Sequence, residues 1–148
     1  MVYGINKTAR FEYEILETFE AGFVLTGQEV KSLRTRQARL AGAYVTFHNM
    51  EATILNLHIP KYAYAGALPT YDPDRTRKLL LSKKEIAYLR GKSEEKGLTI
   101  IPLSLYTKGR RIKVEIAVAK GKKLYDKRKT IKDREAKRET RRAIKGIY

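Results

Sequence analysis

The 148-residue chain is predicted to be mostly β: an OB-like small antiparallel barrel with two or three short helices and a basic C-terminal tail. Three observations predict it. Five or six segments alternate apolar and polar residues at strand period. Two intervals between them open on a helix capping box. Of a formal charge of +16, the last 29 residues carry +9. The expected boundaries are 1–123 for the barrel and 124–148 for the tail.

Residues 1–10 have no periodicity and read as a short basic arm. From Phe11 to Phe19, Phe11, Tyr13 and Ile15 alternate with Glu12 and Glu14, predicting a half-buried strand. Gly22 interrupts the pattern before Phe23–Leu25, which predicts a bulge or sharp bend there. Thr26 and Glu29 form a capping box, so a helix is expected to about Arg36, with Val30 and Leu33 inward and Lys31, Arg34 and Arg36 away from them. Tyr44–Phe47 and Ala52–Ile59 read as a hairpin joined by His48–Glu51. Residues 61–78 read as a long loop with an Asp72-Pro73-Asp74 turn. Ser82 and Glu85 form the second capping box. Its helix is expected to reach Arg90, with Gly91 and Gly97 bounding a shorter helix over Lys92–Lys96. Leu98–Thr107 is a strand in which Pro102 implies an edge or a bulge. Arg111–Ala119 alternates most clearly, with Ile112, Val114, Ile116 and Val118 on one face.

The tail, Lys120–Tyr148, has thirteen Lys or Arg against four Asp or Glu. Such a segment cannot bury enough apolar surface to fold alone. It lacks Pro, its middle is rich in helix formers, and Asp133 and Lys137 are four apart, so it reads as a latent helix awaiting an anionic partner.

The charge points to nucleic acid. A membrane partner is disfavoured, because no run of 18 apolar residues occurs. The first ten residues lack a signal-peptide core and there are no cysteines, so a cytoplasmic location is expected. No catalytic constellation stands out. His48 and His58 lack companion metal ligands, and Asp72 and Asp74 flank a proline and read as a turn. No metal, cofactor or catalytic residue is expected. Arg75, Arg77 and Lys78 form a basic cluster ahead of Leu79-Leu80-Leu81, one of which is a candidate to cover an unstacked base.

Several strings, in order and spanning nearly the whole chain, closely resemble the SmpB (small protein B, SsrA-binding protein) family. They are Asn6–Tyr13, Glu20-Ala21-Gly22, Gly27–Arg34, Asp72-Pro73 with Arg75–Leu81, Leu103–Tyr106, Ala119–Lys123, and Asp126-Lys127-Arg128 with Ile131-Lys132. The N-terminus departs from the family in lacking the longer basic extension of some members. The resemblance implies an adaptor that performs no bond chemistry, and that is expected to be monomeric. It would bind the tRNA-like domain of transfer-messenger RNA and deliver it to stalled ribosomes for trans-translation.

By the same resemblance, Asn6, Glu20 and Leu80 are RNA-binding positions, with Lys31 and Arg34 on the nearby helix face. Lys31, Arg34, Arg75 and Arg77 are expected to meet phosphates, and Lys120, Lys122 and Lys123 to help hold the RNA. Tyr125, Asp126, Lys127, Arg128, Ile131, Lys132, Arg138 and Ile144 would occupy the ribosomal decoding centre and mRNA channel, Tyr125 stacking on a base. Two alternatives stay open on the residues alone. One is a ribosomal or initiation-factor-like OB protein binding rRNA. The other is an RNA-processing enzyme with a divalent metal at Asp72 and Asp74.

Overall fold

The computed structural model describes residues 1–62 and 71–122. In order these form β1 (Val2–Ile5), α1 (Ala9–Glu12), β2 (Tyr13–Phe23), α2 (Gly27–Thr35), β3 (Tyr44–His48), β4 (Glu51–Leu55), β5 (Arg77–Leu80), α3 (Lys83–Glu94), β6 (Leu98–Lys108) and β7 (Arg111–Gly121). Among the described residues the strands make one antiparallel sheet in the order β1-β6-β7-β2-β5-β4-β3. The sheet curls until β3 packs beside β6, yet no ladder joins them. The result is the expected OB-like barrel, open along that seam.

Alternation fills the barrel. Val114, Ile116 and Val118 of β7, Ile100 and Leu105 of β6, Ile54 of β4 and Leu79 of β5 point inward and are essentially fully buried, and Leu89 of α3 joins them. A smaller cluster on the outer face of β6 and β7 (Ile101, Leu103, Ala117, Ala119) is covered by Ala9 of α1. Both capping boxes form: Thr26 Oγ1 accepts from the Glu29 amide and Ser82 Oγ from the Glu85 amide, with each carboxylate returning the bond.

Several expectations are corrected. The N-terminal arm contains β1, whose Tyr3 is buried, and the turn of helix α1. Phe11 and Glu12 belong to that helix, so the strand begins only at Tyr13. It runs unbroken through Gly22, and its register shift falls between Ile15 and Glu17. Gly22 serves a close approach instead: a Cβ there would lie 3.0 Å from the Leu80 Cβ. The hairpin turn is tighter than expected, with only Asn49 and Met50 between the strands, both at positive φ (46° and 63°), as a right-twisted two-residue hairpin requires. Arg77–Leu80 form strand β5, so the expected loop over 61–78 ends before Arg77. Helix α3 continues through Gly91, because Ile86, Leu89 and the cap outweigh one glycine, which costs about 1 kcal/mol. Of the two readings of Pro102, the bulge holds: β6 is an interior strand, the β1 ladder reaches only Ser104, and the β7 register shifts between Pro102 and Ser104. The boundary at 123/124 lies outside the described residues.

Candidate nucleic-acid interface

Along β2, Phe19, Ala21 and Phe23 face the core, so Glu20 and Gly22 face outward. Leu80 pairs with Gly22 and shares that outer face, 53% exposed where an interior leucine would be covered. Glu20 is held in place. Tyr106 Oη donates to its carboxylate at 2.6 Å and Lys108 Nζ at 3.3 Å. The Tyr106 bond above all holds the Glu20 carboxyl below its usual range; desolvation opposes it, and Lys108 and then the charge of Lys113 add to the lowering. Burial and then Glu20 itself push the Tyr106 phenol up to about 12. Glu20 therefore meets a ligand as a fixed, ionised acceptor beside a lysine.

The capping box places Lys31 and Arg34 outward on α2, both exposed. The Lys31 ammonium lies 5.9 Å from the Tyr62 ring centroid. Arg34 and Leu80 line one recess of about 380 Å³, where α2 faces the β6–β7 turn. That recess also takes in Arg110, Arg111 and Lys113, which the sequence reading passed over, although Lys108–Lys113 visibly forms a basic turn. Asn6 stands in a neighbouring recess with Ser104 and Glu115. Its Nδ2 donates to the Pro102 carbonyl at 3.0 Å and its amide to Leu103 at 2.8 Å, which pins β1 onto the irregular stretch of β6. Glu115 sits opposite Glu20 in the β2–β7 register, so the two recesses share one outer face.

One expected phosphate contact is corrected. Arg77 is fully buried: its Nε donates to Glu29, and its Nη atoms donate to the carbonyls of Leu57, Pro73 and Arg75. None of its donors faces solvent, so it braces the interior. Arg75, partly exposed, spends Nε and Nη2 on the same carboxylate. Sequence reasoning missed this use of Glu29, which a capping box alone does not announce.

Lys120 is exposed opposite Glu14. Lys122 donates to the Arg10 carbonyl at 2.8 Å. Lys123, Tyr125, Asp126, Lys127, Arg128, Ile131, Lys132, Arg138 and Ile144 lie outside the described residues. Asp72 Oδ1 accepts from the Asp74 amide at 2.9 Å, and Asp74 bonds His58 Nδ1 at 2.9 Å, so the pair forms the expected turn. Among the described residues there is no group of three or more His, Cys, Asp or Glu side chains able to hold a metal ion, and no helix long and apolar enough to cross a membrane.

Comparison with known proteins matches residues 4–146 to the family model described as SmpB protein. The SsrA-binding protein of Oleidesulfovibrio alaskensis is 57% identical over 139 residues, covering 94% of this chain and 89% of that protein. That of Acaryochloris marina is 51% identical over 140 residues, covering 95% and 91%. A solved chain described under "tmRNA-SmpB: a journey to the center of the bacterial ribosome" superposes with a TM-score of 0.69 at 46% identity, covering 81% of this chain and 84% of its own.

Proposed function

This chain belongs to the SmpB family, and on that premise we propose that it binds transfer-messenger RNA and delivers it to stalled ribosomes for trans-translation. The carrying observation is the family match over residues 4–146. The outer face supports it physically: a fixed acceptor at Glu20, an exposed Leu80 and a rim of cations together suit an RNA with unstacked bases. Asn6, Glu20, Lys31, Arg34, Leu80 and Lys120 form the RNA-facing set. The tail, 124–148, takes the ribosome-facing role, with Tyr125–Arg128, Ile131, Lys132, Arg138 and Ile144 meeting the decoding centre and mRNA channel. The protein acts in the cytoplasm by binding, and bond chemistry stays with its partners. Family membership favours this over a general rRNA-binding OB protein.

Native purification followed by sequencing of the bound RNA tests the proposal. One dominant species with a tRNA-like end is expected. It should bind at least about tenfold tighter than rRNA fragments of equal length at physiological salt. A spread of rRNA fragments in proportion to their abundance would overturn it.

A further inference from the structure

A further recess, of about 220 Å³, opens at the barrel seam between β3 and the start of β6. Thr99 and Ile101 of β6, Tyr13 of β2 and Tyr44 of β3 line it, with Asn6 at one end and the exposed Glu12 on its rim. It falls below the roughly 300–1,000 Å³ of small-molecule pockets, so it suits one side chain better than a free ligand. Strand β7 ends beside it. The Lys122 amide donates to the Glu12 carbonyl at 3.0 Å and Lys122 Nζ to the Arg10 carbonyl at 2.8 Å, so the chain leaves the barrel along α1. Beyond Lys122 the sequence runs for 26 residues with eleven Lys or Arg and four Asp or Glu, and Glu12 meets that excess of positive charge.

The strand register says which tail residue reaches the recess. Residues directly opposite in a ladder share a face. Tyr13 lies opposite Gly121 and Ile15 opposite Ala119, while Thr99 and Ile101 lie opposite Ala119 and Ala117. All of these lie on the face to which the recess opens. Gly121 leaves that face bare, and a Cβ built there would meet nothing within 4 Å. Strand alternation carried past Gly121 returns to the same face at Lys123 and Tyr125 and turns Leu124 away from it. Tyr125 is three residues past Lys122, a reach of about 10 Å at strand rise. A tyrosine suits a site whose inner wall is apolar and whose mouth is wet. We propose that, when no ribosome is bound, Tyr125 docks in the seam recess, its ring against Thr99, Ile101 and Tyr44 and Lys123 beside Glu12. The docking follows from the barrel alone. Its consequence rests on the ribosome-rescue reading above: the ribosome must draw Tyr125 out of the barrel before that ring can stack in the decoding centre.

NMR of the full chain, free of RNA, tests this. Nuclear Overhauser contacts are expected from the Tyr125 ring to the methyl groups of Thr99 and Ile101. Tyr125→Ala should shift the amides of Gly42, Tyr44 and Thr99 and leave those of Lys83 and Lys84, on α3, in place. Leu124→Ala, which changes the side chain on the opposite face, should leave both sets in place. Tyr44→Ala removes one wall of the recess and should return the Tyr125 ring resonances to those of an exposed tyrosine. Recess amides that superpose in wild type and Tyr125→Ala, with no ring contacts, overturn the proposal. Equal shifts from Leu124→Ala overturn it as well, because the tail would then touch the barrel without register. Neither outcome touches the functional proposal, which is judged separately by the preference of the wild type for transfer-messenger RNA over rRNA fragments. Loss of that preference with the ring contacts present would sink the functional proposal and leave the docking.

Discussion

Tyr106 decides what Glu20 can offer a ligand. Its hydroxyl is the largest influence keeping that carboxylate ionised, and with Lys108 it fixes the oxygens in space. A carboxylate left to rotate would pay side-chain entropy on meeting RNA, and an oriented one has already paid it. Tyr106 thus acts through Glu20 as a positioning residue. Tyr106→Phe keeps the ring and removes the donor. RNA affinity is expected to fall about fivefold, the worth of one net hydrogen bond of about 1 kcal/mol. The Glu20 titration, followed by NMR, should move up toward the ordinary glutamate range. An affinity loss without that shift would mean that Tyr106 touches the RNA itself. Nothing in the sequence signalled the pair, because 86 residues separate its members and only the β2–β7–β6 register brings them together.

At the scale of elements, Glu29 joins three of them. It closes the cap of α2 and receives Arg75 from the loop and Arg77 from β5. Burial pushes its carboxyl up. The bonds from Arg75, the Thr26 amide and Arg77 outweigh this, so the group sits below the usual carboxylate range. A depressed carboxylate contributes stability that is present above its unfolded pKa and is lost as pH falls through the folded one. Glu29→Gln is therefore expected to destabilise by about 3 kcal/mol at neutral pH, since it leaves buried Arg77 unpaired. The gap to wild type should narrow in thermal melts below about pH 4, as the native carboxyl itself protonates. A gap constant with pH would remove the ionic account. RNA affinity should fall with it, because α2 carries Lys31 and Arg34. The cap was legible as Thr26 and Glu29 three residues apart. The arginine partners were not, because a charged residue inside a four-residue strand reads as a surface cluster until its buried counter-ion is seen.

Across the whole molecule, legibility followed the length of each periodic run. β7 and the capped helices were plain in the sequence, with many residues repeating one pattern. β1 was not: four residues containing a glycine give alternation too little to act on, and the strand exists because β6 offers it an edge. The barrel as a class was readable, since one β hydrophobic face must close on itself. The tail is the part where only resemblance assigns a role, and it lends itself to a clean separation. Among the described residues, every member of both core clusters precedes Lys120. Stopping the chain after Lys123 removes 25 residues with ten basic and four acidic groups. The barrel should keep its unfolding temperature within about 2 °C, as for changes outside the core. At about 0.15 M salt, where exposed charges act over only about 8 Å, affinity for transfer-messenger RNA should stay within about threefold. Tagging on stalled ribosomes should drop to background, because the RNA still arrives but nothing fills the decoding centre. If affinity instead falls in proportion to the charge removed, with tagging following it, the tail is a general electrostatic anchor and the division of labour between barrel and tail is wrong.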